Sequence, residues 1–281
     1  MYHAAQEHVI YTIANAPLRT YPFPHLYVDS IFPPDYYAEL RRNWPSASQL
    51  VTLGSTGRVP KDAYPERFFM PLSNEAVSRL PEQSQAFWTE FATWMLVSDR
   101  VLGAVIDKFE PYVRARFGAA LEELEFGHEV LVVRDHTNYK LGPHTDAPHR
   151  VLSLLFYCPD DLAYSHLGTS MYTPIDPAFR CAGGPHYPHD QFRRVATMEY
   201  KPNTLFAFLK TDRSFHGVEP IQDADVLRDL ILYDIRIDAP ATQPGQQPEK
   251  QPKQEPGERP DEVGGTFGMR FLKNILRRPR Q

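Results

Sequence analysis

At 281 residues, 42% of them hydrophobic and 12% aromatic, the chain can form one well-buried domain with an appendage and is too apolar to be disordered throughout. Thirty Lys and Arg against 35 Asp and Glu give a formal net charge of −5, which argues against broad nucleic-acid binding. Cys158 and Cys181 are too few for a disulfide framework, and there is neither a signal-like apolar N-terminus nor a run of about 18 apolar residues, so a cytoplasmic protein is expected.

In chain order, the stretch from Pro22 to Phe32 predicts a first strand, followed by a helix begun by Pro33, Pro34 and Asp35 and running to about Trp44. Residues 46–75 are polar, with Gly54, Gly57 and Pro60, and are expected to be a loop that bears on substrate choice. Phe87, Phe91, Trp94, Met95, Val101, Leu102, Val105, Ile106, Phe109 and Val113 fall at helical spacing and predict helices packed on the outer face of a sheet. Apolar runs at 150–157, 204–209 and 228–235 read as strands, and 174–193 reads as a long, Pro-rich loop of the kind that forms lids. Cys181, His186, His189 and Asp190 within it fit no zinc spacing.

Composition changes after Asp238. Proline recurs every four residues from 240 to 260 among Gln, Glu and Lys, which predicts a disordered linker over 239–263. Phe267, Phe271, Leu272, Ile275 and Leu276, with Arg270, Lys273, Arg277, Arg278 and Arg280, predict a short basic amphipathic segment over 264–281, suited to an anionic membrane surface or a protein groove.

The chemistry is concentrated in His144-Thr145-Asp146 and in His216, which opens His216-Gly217-Val218-Glu219-Pro220. On a strand, residues i and i+2 share a face at about 6.6 Å, so His144 and Asp146 can converge on one ion, with His216 as the third ligand. Two imidazoles and a carboxylate are the facial set of non-haem Fe(II) oxygenases, leaving positions open for cosubstrate and oxygen. His136, His149 and His166 are the alternative ligands, but none has a carboxylate two residues away and an apolar strand behind it. Arg228, twelve residues after His216, shares a strand face with Leu230 and Leu232, where a guanidinium needs an anionic partner or a route to solvent. Arg236 and Arg213 are alternatives to it. Arg134 either reaches the same pocket or pairs with Asp135.

On these residues, about 126–237 resembles the catalytic core of the Fe(II)- and 2-oxoglutarate-dependent dioxygenase superfamily, in its prolyl-hydroxylase-like branch. The resemblance implies a mainly β fold with flanking helices, in which residues 1–125 support a double-stranded β-helix (jelly-roll) core over 126–238. It also implies Fe(II), 2-oxoglutarate and O2, with ascorbate as an accessory reductant, and His144, Asp146 and His216 as catalytic metal ligands. Arg228 would bind the distal carboxylate of 2-oxoglutarate, with Tyr157 and Tyr139 helping to seat it. Because Asp146 occupies the position where related halogenases have a small residue, hydroxylation of a small-molecule or peptidyl substrate is expected. The rival readings are a cupin-like iron oxygenase that takes no 2-oxoglutarate and a non-catalytic metal-binding sensor or interaction module.

Overall fold

The computed structural model describes residues 2–57 and 59–237; the expectations for the linker and the basic segment fall outside them. Among the described residues, the strands form two antiparallel sheets. β1 (His25–Asp29), β2 (Val51–Thr52), β3 (Arg67–Pro71), β4 (Phe126–His136), β6 (Arg150–Tyr157), β9 (Thr204–Leu209) and β11 (Leu227–Ile237) make the larger, in the order β1-β9-β6-β11-β4-β3-β2. β5 (Leu141–His144), β7 (Ser170–Pro174), β8 (Phe192–Thr197) and β10 (His216–Val218) make the smaller, ordered β5-β10-β7-β8. From β4 onward the chain passes back and forth between the sheets, with β7 and β8 a consecutive pair in the smaller one, in the double-stranded β-helix pattern, which brings β5 and β10 side by side although about seventy residues separate them.

The central strands of the larger sheet, β4, β6, β9 and β11, are largely buried on both faces, and period-two alternation divides their side chains. On β11, Ile231, Tyr233 and Ile235 face outward into one apolar cluster, whereas Leu230 belongs to a second cluster between the sheets. β9 has no polar face to spare: all six of its residues are buried.

Helices cover the outer face. α1 (Tyr2–Asn15), α2 (Pro34–Arg42), α3 (Asn74–Ser78), α4 (Glu82–Ala92) and α5 (Asp99–Phe117) lie beside the sheet, with a π-helical turn over Thr93–Val97 joining α4 to α5. Phe32, Phe87, Trp88, Phe91 and Trp94 form an aromatic block, in which the Trp94 indole N–H donates to the Tyr36 hydroxyl at 2.9 Å. The sequence reading did not anticipate α1. It is held partly by a polar contact invisible to periodicity, as Gln6 Nε2 donates to the Trp94 carbonyl at 3.1 Å and to Ser98 Oγ at 2.8 Å.

The expected loop over 46–75 also differs, since its second half pairs β3 with β4, Arg67 standing opposite Asp135. That strand becomes extended because a sheet edge is available, a fact its own short apolar run does not announce. No helix among the described residues is long and apolar enough to cross a membrane.

Two glycines test this packing. A Cβ on Gly217 would lie 2.4 Å from the Leu141 carbonyl oxygen, whereas a Cβ on Gly103 in α5 meets nothing within 4 Å. Gly217→Ala should therefore destabilise the protein by about 2 kcal/mol or more, and Gly103→Ala should stabilise it by about 0.5–1 kcal/mol. Thermal unfolding of both variants beside the parent measures the difference; equal shifts would contradict the close approach of β5 and β10.

Candidate metal centre and cavity

β5 ends at His144, so Asp146 stands beyond the strand, in the segment that leads to β6. His144 Nε2 is 4.0 Å and His216 Nε2 is 3.8 Å from Asp146 Oδ1. His216 is opposite His144 in the β5–β10 register, which sets the ring centroids 4.3 Å apart. Each imidazole donates from Nδ1 to the carbonyl two residues earlier, His144 to Gly142 and His216 to Ser214, both at 3.0 Å. Those bonds fix the tautomer that leaves both Nε2 lone pairs directed at Asp146. The donor atoms of the three residues lie within 4.8 Å of one another, and among the described residues no other His, Cys, Asp or Glu group of three does so.

Metal bonds of about 2.0–2.2 Å require only a small inward closure of this set. Burial, and then the neighbouring His216, push His144 well below the usual histidine value, so its lone pair is available. Burial alone would raise the Asp146 carboxyl, but Arg150, His216 and His144 beside it hold it below the usual carboxylate range. Asp146 Oδ2 also accepts from Ser153 Oγ at 2.8 Å, and Arg150 Nη1 approaches Oδ1 at 3.3 Å.

The triad opens onto a cavity of about 670 Å³ between the sheets, lined in its middle by Phe69, Leu131, Val133, Leu155, Leu230 and Leu232. At one end lies Arg228, fully buried. Its Nε donates to the Leu167 carbonyl at 2.6 Å and its Nη1 to Asp135 Oδ2 at 2.7 Å. The route to solvent is thus absent, and part of the anionic partner comes from inside the chain. Asp135 is shared, however: Arg67 Nε and Nη2 engage both its oxygens at 2.7 and 2.9 Å. Two guanidinium groups on one carboxylate leave a positive charge at this end of the cavity.

Tyr139 lines the same end, with the Arg67 guanidinium 4.4 Å from its ring centroid, and its buried hydroxyl has no hydrogen-bond partner. Burial pushes its phenol well above the ordinary value, so it remains a proton donor. Tyr157 is placed differently. Its hydroxyl accepts from the Thr169 amide at 3.0 Å, and its ring backs the Arg228 guanidinium at 5.7 Å.

Of the remaining candidates, Arg134 neither reaches the cavity nor pairs with Asp135. It faces the other side of β4 and holds Asp229 at 2.7 and 2.9 Å, because adjacent strand residues point to opposite faces. Arg236 lines the cavity at the end away from Arg228, as does His149, while Arg213 is not among its walls. His166 pairs with Asp223 at 3.0 Å and His136 lies against Phe68, so neither joins the triad.

The 174–193 segment is tied by backbone hydrogen bonds to the turns that flank the triad. Cys181 N donates to the Asp212 carbonyl, Gly184 N to that of Thr145 and Tyr187 N to that of Pro143, at 2.9, 3.4 and 2.9 Å. Its Phe179, Tyr187 and Phe192 pack with Phe215, and its His186 ring lies 4.6 Å from that of His144. Arg67, Arg150, Ser153 and His186 were not singled out by the sequence reading as parts of the site. Strand alternation places Ser153 on the same face of β6 as Tyr157, while the others depend on contacts between distant segments.

No protein-family model matches the chain, and no curated protein matches it. Solved structures that it resembles include a Pseudomonas putida prolyl-4-hydroxylase, at 16% identity over 83% of this chain and 98% of that one with a TM-score of 0.43. A second is SnoN, a non-haem alpha-ketoglutarate-dependent epimerase from nogalamycin biosynthesis, at 13% identity over 91% and 97% of the two chains with a TM-score of 0.46. A third is HygX from Streptomyces hygroscopicus with nickel, 2-oxoglutarate and hygromycin B bound, at 10% identity over 75% and 82% with a TM-score of 0.41. Identities this low carry no statement about reaction or substrate.

Burial lowers five histidines, His25, His144, His149, His186 and His216, from the ordinary value of 6.5. As pH falls through that value the unfolded chain takes up protons that the folded chain does not, so stability falls. Asp234, which burial raises to about 6, acts in the opposite sense, but it is one group against five. The unfolding temperature of metal-free protein should therefore drop between pH 7.5 and 5.5. A rise over that interval would show that these histidines accept protons in the folded state.

Proposed function

We propose that the chain is an Fe(II)- and 2-oxoglutarate-dependent dioxygenase that hydroxylates a small-molecule or peptidyl substrate. One observation carries this reading: a triad with both imidazole Nε2 atoms aimed at a carboxylate opens onto a cavity whose far end holds one positive charge in excess. A metal at the triad and an anion at the far end are the two attachments that a cosubstrate with carboxylates at both ends requires.

The donor set suits the ion. His144, Asp146 and His216 would hold it on one side, with Ser153 and Arg150 restraining the Asp146 carboxylate. When bound, Fe(II) with 2-oxoglutarate supplies the oxidising chemistry: the cosubstrate loses CO2 and becomes succinate as O2 is consumed, one oxygen atom entering succinate and the other a substrate C–H bond. The chain's own residues bind and exclude. Arg228 and Arg67 would receive the distal carboxylate, with Tyr139 donating its phenolic hydrogen. Tyr157 would act from behind, keeping the Arg228 guanidinium in place. The leucines and valines between the two attachment points keep water from the cosubstrate and strengthen both electrostatic contacts. Asp146 fills the third protein position on the ion, which favours hydroxylation over transfer of a bound anion.

Succinate formation from 2-oxoglutarate should be lost in His216→Ala. Removing Arg228 cancels the excess charge at the far end, and Arg228→Ala should weaken 2-oxoglutarate binding about a hundredfold, the equivalent of roughly 3 kcal/mol. Tyr139→Phe removes one hydrogen bond to a charged group and should cost about tenfold. Calorimetric titration of the Zn(II)-loaded variants with 2-oxoglutarate measures both. Unchanged affinity in Arg228→Ala would exclude this binding mode, and absence of succinate from iron-loaded parent protein would exclude the activity.

A further inference from the structure

The end of the cavity opposite Arg228 is walled by Arg150, Asp234 and Arg236, beside Glu129 and His149. Arg150 Nη2 pairs with Asp234 Oδ2 at 2.7 Å, and Arg236 Nη2 lies 3.7 Å from the same oxygen while also pairing with Glu129. Both arginines thus engage their partners through Nη groups, and Asp234 uses a single oxygen for both. Arg150 Nε, Arg236 Nε and Asp234 Oδ1 are left buried without partners. Few native groups remain in that condition unless a ligand or a side-chain movement relieves it.

The charges of this cluster cancel. Arg150 and Arg236 balance Asp234 and Glu129, while Asp146 is committed to the ion and burial keeps His149 low and hence neutral. A carboxylate or an ammonium group brought here would stand without a counter-charge in a poorly hydrated place. A ligand that relieves two N–H donors and one carboxylate oxygen must offer both lone pairs and a hydrogen. The cluster is also close to the metal ligands: Ser153 stands opposite Asp234 in the strand register and donates to Asp146. A group held here would place neighbouring C–H bonds beside the triad.

We propose that Arg150, Asp234 and Arg236 form the substrate subsite and select an uncharged group that both accepts and donates hydrogen bonds, either paired hydroxyls or a primary carboxamide. The proposal rests on the dioxygenase reading for which molecule is substrate and which is cosubstrate. Arg150 and Arg236 would turn their Nε–H bonds toward the ligand's oxygens, and Asp234 would accept its hydrogen.

The arginine Nε–H groups can be observed directly. In the full chain, 15N-labelled and loaded with Zn(II) and 2-oxoglutarate, their resonances are assigned through Arg150→Lys and Arg236→Lys. The probes share one three-carbon skeleton: lactamide and propane-1,2-diol are neutral, lactate is anionic and 1-amino-2-propanol is cationic. A neutral probe should shift both resonances saturably, lactamide if carboxamides are preferred and the diol if hydroxyls are, with the ions weaker by about tenfold or more. Asp234→Asn leaves the shape but adds one positive charge, and should reverse the order so that lactate binds tighter than lactamide by about tenfold. Preference of the parent protein for lactate, an unaltered order in Asp234→Asn, or no shift with either neutral probe would each overturn the proposal. Adding 2-oxoglutarate to the Zn(II)-loaded sample should move the Arg67 and Arg228 resonances and not these two. If it moves none, the dioxygenase reading fails, whatever the neutral probes do.

Discussion

Asp135 carries one negative charge between the buried Arg228 and the partly buried Arg67, and the character of the cavity follows from that inequality. Had Arg67 found a carboxylate of its own, the Arg228 end would be neutral and would have no use for an anion. The shared ion pair also joins β3 and β11 to opposite edges of β4, with Arg67 and Arg228 each standing across from Asp135 in the register. One side chain therefore secures the wall of the chamber and sets its charge. Removing a partner from such a buried cluster is far more costly than its formation is stabilising, which makes the arrangement all-or-none.

The metal end is built on a different principle. Its geometry is set by main chain: two carbonyls hold the imidazole tautomers, and the β5–β10 register brings the rings together. Lys210 supports this from behind. Buried, it donates to Thr145 Oγ1 at 3.1 Å and to the Thr211 carbonyl at 2.9 Å, so it braces the turn between His144 and Asp146 against the turn that leads to His216. These constraints come from the backbone, whereas the walls between the two ends are apolar surface that admits exchange of similar volumes.

What was legible in the sequence is what depends on local pattern. The His144–Asp146 pair, the alternation on β11 and the helical spacing from Phe87 to Val113 each announce themselves without reference to any distant segment. Arg228 was legible for the same reason, being a cation on an apolar face. Its partner was not, because Arg134, adjacent to Asp135, is the obvious choice in one dimension and points to the wrong side of the sheet in three. Arg67 was hidden by the polar character of its surroundings: β3 exists because the edge of β4 was free to pair. For α1 a local signal existed, Ala5, Val9 and Ile13 being buried at helical spacing, but Gln6, which meets a carbonyl 88 residues away, has none. The missed residues are thus those whose role is created by long-range pairing.

The backbone bonds that tie residues 181–187 to the ligand turns have a mechanical consequence. Because the segment is anchored to Pro143, Thr145 and Asp212, with His186 3.3 Å from the Tyr64 hydroxyl, any opening there has to break bonds to the turns that carry His144 and Asp146. Movement of residues 181–187 and displacement of the residues of the triad are therefore coupled rather than independent.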